Sequence, residues 1–395
     1  MTIFLSIIAF VIIFSAIILV HELGHFFAAR ISGIQVDEFG LGLPPRIFGK
    51  KTSRKIEILQ KGKKKQITEK MIWSINAIPF GGFVKMAGED HDEKEKNNPR
   101  AFSNRPVGLR IFTVCAGVLM NFLLGWILLT AVFTIGAKPI FIGNTPEDLQ
   151  KAIEKNWIEV DNTGIFVADV VENSPAAQRG IEPGDFVTMV DQKTVKSFKE
   201  FQAIKEKGMK GKGFHLLVIR KNLETFKTEK TFVSVVVPDE NGNLGIYFSD
   251  LPPIKKINEV KLPVHKASIF AAEEMYRLSF ATTKMLGNIV VSLVKKMQVP
   301  EGVGGPVAIA KVTHQFVEEK GLVDIVQFAA ILSISIGIIN IMPFPALDGG
   351  RFLFLLVEAI SRRKINPKWE SIIHGIGFVL LLIFLFFVTW KDFLR

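Results

Sequence analysis

Long apolar runs dominate both ends of the chain, and an alternating, charge-rich middle separates them. Four runs, Ile3 to Ala29, Val107 to Ile135, Ile325 to Pro343 and Ile372 to Thr389, are each long enough to cross a hydrocarbon core of roughly 30 Å at about 1.5 Å per residue. Ala267 to Val294 has similar length but carries Glu273, Glu274, Arg277 and Lys284. It reads as an amphipathic surface helix with Phe270, Tyr276, Phe280 and Met285 toward lipid or protein. After the first run, period-two alternation over Lys55 to Leu59 and Gln66 to Met86, with Lys61-Gly62-Lys63 as the turn, predicts a small hairpin sheet. Alternation returns over Thr163 to Tyr247. Strands are expected at Ile165 to Val171, Phe186 to Val190, Phe214 to Arg220 and Thr231 to Val237, with a short helix after Ser174 and a longer one over Ser197 to Lys207. Asn144 to Val160, just before, reads as polar and partly helical.

Composition fits a membrane chain with a soluble part: 395 residues, 48% hydrophobic, with 49 Lys+Arg against 38 Asp+Glu. The net charge of +11 does not point to nucleic acid, because the basic residues gather beside the apolar runs, where anionic lipid is the partner. Arg46, Lys50, Lys51, Arg54, Lys55 and the Lys61 to Lys65 cluster follow the first run, and Arg351, Arg362, Arg363, Lys364 and Lys368 follow the third. Both segments are therefore expected on the cytoplasmic side, leaving the N-terminus and Gly136 to Asp324 external. The N-terminus lacks the basic region of a signal peptide, so the first run is expected to stay attached. Cys115 is the single cysteine, which excludes an internal disulfide or a thiolate zinc site and reads as a packing residue.

Chemistry enters with His21-Glu22-Leu23-Gly24-His25, which lies inside the first apolar run. Positions i and i+4 share a helix face, so both imidazoles can hold one zinc ion while Glu22 reaches a water beside it. A histidine pair bonded to neighbouring carbonyls is the plainer alternative, but it leaves the desolvation of Glu22 without an offset. Gly24, Phe26 and Phe27 are expected to serve helix packing. A second constellation, Asn340-Ile341-Met342-Pro343-Phe344-Pro345-Ala346-Leu347-Asp348-Gly349-Gly350, ends the third run. Its prolines break the helix, and exposed backbone at membrane depth must line a protein cavity. Asp348, followed by two glycines that free the backbone to turn, is the strongest third ligand, with Glu358 and His374 as rivals. Alternating span directions bring His21, His25 and Asp348 to one side of the bilayer only if Ala267 to Val294 does not cross.

These residues resemble the bacterial site-2 proteases of the RseP type. The resemblance rests on the HELGH helix, the NxxPxPxLDGG segment, Gly302 to Lys311 as a GxxGPxxIxK string, and Pro79-Phe80-Gly81-Gly82-Phe83-Val84-Lys85-Met86 as a glycine-containing hairpin. It implies an intramembrane zinc endopeptidase of the bacterial inner membrane that cleaves transmembrane segments of single-span proteins, such as anti-sigma factors or signal-peptide remnants. By the same resemblance His21, His25 and Asp348 bind Zn2+, Glu22 is the catalytic base, and Asn340 contacts substrate. Pro343, Pro345, Gly81, Gly82 and Phe83 are the further candidate substrate-binding residues, the last three on a strand edge where an unwound substrate could add.

The expected fold is a polytopic α-helical membrane protein of four transmembrane helices, with a cytoplasmic-side β-hairpin sheet and one external α/β PDZ domain. Its expected parts are a membrane half over 1–135, an external segment over 136–265 with the PDZ domain at about 163–247, an amphipathic helix and linker over 266–324, and a second membrane half over 325–395. The resemblance places a peptide groove between the Ser197 to Lys207 helix and the strand beginning near Gly164. One PDZ domain stands where the enteric proteins carry two, and a size filter is its expected role. A membrane-anchored PDZ scaffold without proteolysis is the rival reading.

Overall fold

A computed structural model of the chain describes residues 2–60, 63–89, 97–142, 146–207, 213–222, 225–240, 242–249, 251–296, 304–319 and 321–394. In chain order the elements are α1 (Thr2–Ile31), β1 (Val36–Gln60), β2 (Lys63–Met86), α2 (Val107–Ile135), α3 (Pro146–Glu154), β3 (Ile158–Val160), β4 (Ile165–Val170) and α4 (Pro175–Gln178). They continue with β5 (Asp185–Val190), β6 (Lys193–Thr194), α5 (Phe198–Lys207), β7 (Phe214–Lys221), β8 (Thr228–Val236), β9 (Ile246–Phe248) and β10 (Ile254–Ile257). Last come α6 (Val264–Lys296), α7 (Pro306–Glu319), α8 (Leu322–Ile341), α9 (Asp348–Ser361) and α10 (Pro367–Leu394). Two units emerge: Met1–Ala137 with Lys261–Arg395, and Lys138–Val260.

In the first unit, four helices are long and apolar enough to cross a membrane among the described residues: Ser6–Ile31, Val107–Ile135, Leu322–Ile341 and Lys368–Asp392. Helix α2 is the centre of the bundle and packs on α1, α6, α8 and α9. Small residues permit that approach. A Cβ at Gly125 would lie 2.4 Å from Ile334 of α8, and one at Gly24 would lie 2.4 Å from the Ala116 carbonyl oxygen. Gly24 and buried Phe26 thus serve packing as expected, whereas Phe27 points outward, 52% exposed.

Helix α6 is amphipathic. Ala267, Phe270, Ala271, Glu274 and Leu278 are buried where α6 meets α2 and α8, and the Phe270 ring stacks edge-on against Phe133 at 4.7 Å. Tyr276, Phe280 and Met285 are exposed on the other side. The acidic Glu274 lies within the packed stripe, fully buried.

The sheet after α1 is longer than the alternation predicts. Strand β1 begins at Val36, and its first part pairs on both edges: Phe39 faces Val84 on one side and Trp73 on the other. Gly40, Gly42, Pro44 and Pro45 interrupt the period-two pattern in the sequence, and register shifts absorb them in the sheet. Residues 61 and 62 of the expected turn lie outside the described residues. Glu69 ties the sheet to the end of α1, because its buried carboxylate accepts from Arg30 at 2.5 Å and from Arg100 at 2.7 Å.

Helix α7 carries the described part of the GxxGPxxIxK string, Gly302 and Val303 lying outside the described residues. Its first turn donates the Gly305 and Ala308 N–H groups to Asp392 of α10 at 2.9 and 3.0 Å, which satisfies two groups that a helix start otherwise leaves free.

In the second unit, β8-β7-β5-β4-β9 form an antiparallel sheet, with β6 paired to β5. Its apolar core includes Val167, Val187, Leu216, Val218 and Val236, closed by Phe201 of α5. The segment before it forms α3 and β3, with Asn144 and Thr145 outside the described residues, and β3 pairs with β10. The larger groove, about 880 Å³, lies between α5 and the edge strand β9 with the loop before it. Only a smaller cavity of about 340 Å³ lies where α5 meets Gly164 and Ile165. β9, a strand of three residues, sits at the sheet edge.

Candidate metal centre

Helix α1 carries both histidines on the face it turns to α2. Nε2 of His21 lies 3.1 Å from Nε2 of His25, and Oδ2 of Asp348 lies 3.0 Å from the first and 3.2 Å from the second. Zinc bonds of about 2.0–2.1 Å in tetrahedral array put neighbouring ligand atoms about 3.3–3.4 Å apart, so a single ion fits between these three. The ring chemistry agrees. His25 Nδ1 is 2.9 Å from the Thr113 carbonyl oxygen, which can only accept, so Nδ1 carries the proton and Nε2 offers a lone pair to the gap.

Asp348 reaches the histidines because the chain leaves helical form where the prolines require it. Helix α8 ends at Ile341, the backbone runs irregularly over Met342 to Leu347, and α9 starts at Asp348. Ala346 adopts φ +79°, a left-handed conformation that a non-glycine residue holds only under constraint, and its N–H donates to Nδ1 of His374 at 2.9 Å. His374 thus braces the break from α10. Glu358, the other rival ligand, pairs with Arg110 of α2. Gly349 and Gly350 do not supply a turn, since they lie in the first turn of α9. They supply proximity: a Cβ at 349 would lie 2.1 Å from the Met342 carbonyl oxygen, and one at 350 would lie 2.4 Å from that of Phe344.

Glu22 lies beside the histidines and faces the sheet. Its Oε2 accepts from the Val84 N–H at 3.0 Å, and the Gly81 N–H donates to Ser15 Oγ at 3.3 Å, so the outer strand runs along α1. Gly81 has φ +71° and abuts Ile18, and Gly82 comes close to Leu19 and Glu22. The Phe83 ring lies over Gly40 of the neighbouring strand. Asn340 is half-buried in the last turn of α8, Pro343 is exposed, and Pro345 is packed under Gly377 of α10.

Sequence reasoning missed Thr113 and Gly117 of α2. A Cβ at Gly117 would lie 2.4 Å from Nε2 of His25 and 2.8 Å from Cε1 of His21, so only glycine leaves room for both rings. One turn further along α2, Asn121 is fully buried, and both its carboxamide atoms lack a partner among the described residues.

Comparison with known proteins follows the same lines. The sequence profile of peptidase family M50 matches residues 9–384. A candidate zinc metalloprotease of Clostridium perfringens is 31% identical over 384 residues, covering 96% of each chain. The regulator of sigma-W protease RasP of Bacillus subtilis is 27% identical over 469 residues, covering 99% of this chain and 98% of its own. A candidate zinc metalloprotease of Fusobacterium nucleatum is 29% identical over 382 residues.

Proposed function

The chain belongs to peptidase family M50 and is a zinc metalloprotease, and from that premise we propose that His21, His25 and Asp348 hold the ion while Glu22 moves the proton in cleavage of peptide bonds within the membrane. The observation that carries this reading is the convergence of two imidazole nitrogens and one carboxylate oxygen within 3.2 Å of one another. Zinc bound there supplies Lewis-acid polarisation of a peptide carbonyl and makes water more acidic. Glu22, one residue from His21 on the same turn, accepts the proton that water releases and returns it to the leaving amine. The Val84 N–H fixes the orientation of that carboxylate. Asn340, Pro343 and Pro345 line the substrate path from the helix break, and Gly81, Gly82 and Phe83 line it from the strand, whose backbone replaces hydrogen bonds that an unwound substrate helix gives up.

The substrates are transmembrane segments of single-span proteins, with anti-sigma factors as one class by analogy with the regulator of sigma-W. The chain lies in the bacterial inner membrane. Exposed Arg46, Lys50, Lys51, Arg54, Lys55, Arg362, Arg363 and Lys364 support a metal side that faces the cytoplasm, with the segment inserted after α2 external. That segment is a PDZ domain, a reading supported by its six-stranded sheet with α5 beside an open edge strand, and a peptide adds along β9.

Glu22→Gln tests the core of this reading. Glutamine keeps an oxygen for the Val84 N–H but cannot take a proton, so cleavage should fall by about 10²–10⁴ or more while bound zinc stays stoichiometric. Full cleavage by this variant, or its loss together with the metal, would overturn the assignment of Glu22 as base.

A further inference from the structure

The metal ligand Asp348 forms one wall of a cavity that the chemistry above does not use. Its volume is about 180 Å³, and it is lined by Cys115, Val118, Leu119 and Phe122 of α2, by Ile341 at the end of α8, and by Phe352 of α9, with Asp348 and Gly349 at one end. Apart from the carboxylate, every lining side chain is apolar or small. The cavity is open on one side, where Leu119 and Ile341 are exposed, and its volume matches a single leucine, methionine or phenylalanine side chain.

Resting on the peptidase reading, we propose that this cavity is the specificity pocket for the substrate residue flanking the scissile bond, and that it selects large unbranched-at-Cβ or aromatic side chains there. Its position carries the argument. Asp348 Oδ2 is 3.0 and 3.2 Å from the two histidine nitrogens, so a carbonyl held at the metal has its flanking α-carbons, about 3.8 Å apart, beside the same carboxylate. One of the two side chains then meets the cavity mouth. Transmembrane segments are rich in leucine and phenylalanine, and the weak Cys115 thiol is the one side-chain hydrogen-bond donor among the lining residues. Discrimination in an apolar pocket amounts to about 10–200-fold per methylene, so substrates with alanine at that position should be cleaved at least about tenfold less efficiently than those with leucine.

Cys115 is the chain's single cysteine and is half-buried in this wall, which allows the pocket to be filled in the folded protein. Benzyl methanethiosulfonate transfers its benzylthio group to the Cys115 sulfur. The new S–S bond replaces the reagent's sulfur–sulfonyl bond, methanesulfinate leaves, and the thiol proton goes to solvent. The test measures kcat/KM on paired single-span substrates that differ only by leucine or alanine at each side of the cleaved bond, before and after labelling, with zinc content and dithiothreitol reversal as controls. The expected result is a leucine-over-alanine ratio that falls at least tenfold on labelling, at one flanking position only, with zinc retained and the ratio restored by reductant. Cys115→Phe should shift the ratio the same way. An unchanged ratio in both the labelled protein and the variant, with cleavage intact, would overturn the pocket alone and leave the cavity to a lipid acyl chain. Failure of the untreated protein to cleave either substrate would instead remove the peptidase reading beneath it.

Discussion

Gly117→Ala isolates the contact that shapes the metal centre. On helix propensity alone the change favours α2 by up to about 1 kcal/mol. The site predicts the opposite. The added Cβ would stand 2.4 Å from His25 Nε2, 2.7 Å from His25 Cε1 and 2.8 Å from His21 Cε1, where relaxed contacts need about 3.5–4.0 Å. Both rings must therefore retreat by about 1 Å or more. His25 is poorly able to do so, because its Nδ1 is held by the Thr113 carbonyl at 2.9 Å, and α1 cannot back away without opening the contact of Gly24 with Ala116. A displacement of about 1 Å at a reacting centre costs roughly 10²-fold in rate. Ligand misorientation costs roughly 10–100-fold in metal affinity. Gly287→Ala in α6 is the matched control, since a Cβ there meets nothing within 4 Å. Chelator competition for zinc on the purified proteins, with cleavage of a single-span substrate alongside, reads both effects. Zinc affinity and cleavage in Gly117→Ala equal to those of Gly287→Ala would refute the claim that this glycine makes room for the rings.

Gly349→Ala should be more damaging to the fold around Asp348, because its Cβ meets backbone oxygens of Met342 and Ile341 at 2.1 and 2.3 Å and no side chain can yield; lowered zinc content with a lowered unfolding temperature is expected, and a zinc-replete variant would count against it. Zinc removal by a strong chelator should abolish cleavage and readdition should restore it, whereas chelator-resistant cleavage would argue for different chemistry. In the second unit, burial works against the charge on Asp161, yet hydrogen bonds from Lys221 Nζ at 2.6 Å and from Thr163 hold its carboxyl below the ordinary carboxylate range. A depressed folded-state value means that this contribution is complete above about pH 4 and is lost as pH falls below it. Thermal unfolding against pH should show Asp161→Asn less acid-sensitive than the parent, and parallel profiles would contradict it.

The parts legible in the sequence are those set by local composition. Length and apolarity mark α1, α2, α8 and α10, and the two prolines after Met342 mark the break that delivers Asp348. What escaped depends on neighbours distant in the chain. The first part of β1 was hidden because Gly40, Gly42, Pro44 and Pro45 look like loop residues until a strand on each side supplies the ladder. β9 was hidden because it is only three residues long and becomes a strand by pairing with β4. The burial of Glu274 in α6 was hidden because it depends on the packing of α6 against α2 and α8.

The site divides the same way, and the division has a physical cause. His21, Glu22 and His25 announce themselves because three polar groups in an apolar run are costly to desolvate unless they meet a partner. Gly117 and Gly349 announce nothing, since an absent side chain carries no chemistry; each is required by what occupies the space beside it, imidazole rings in one case and backbone carbonyls in the other. The two glycines therefore fail differently when a methyl group is added. At 117 the obstructing atoms belong to side chains that can rotate at the expense of metal affinity, while at 349 they belong to the backbone, so fold and site are lost together. A comparison of zinc affinity with unfolding temperature in these two variants separates the contacts that tune the metal centre from the contacts that build it.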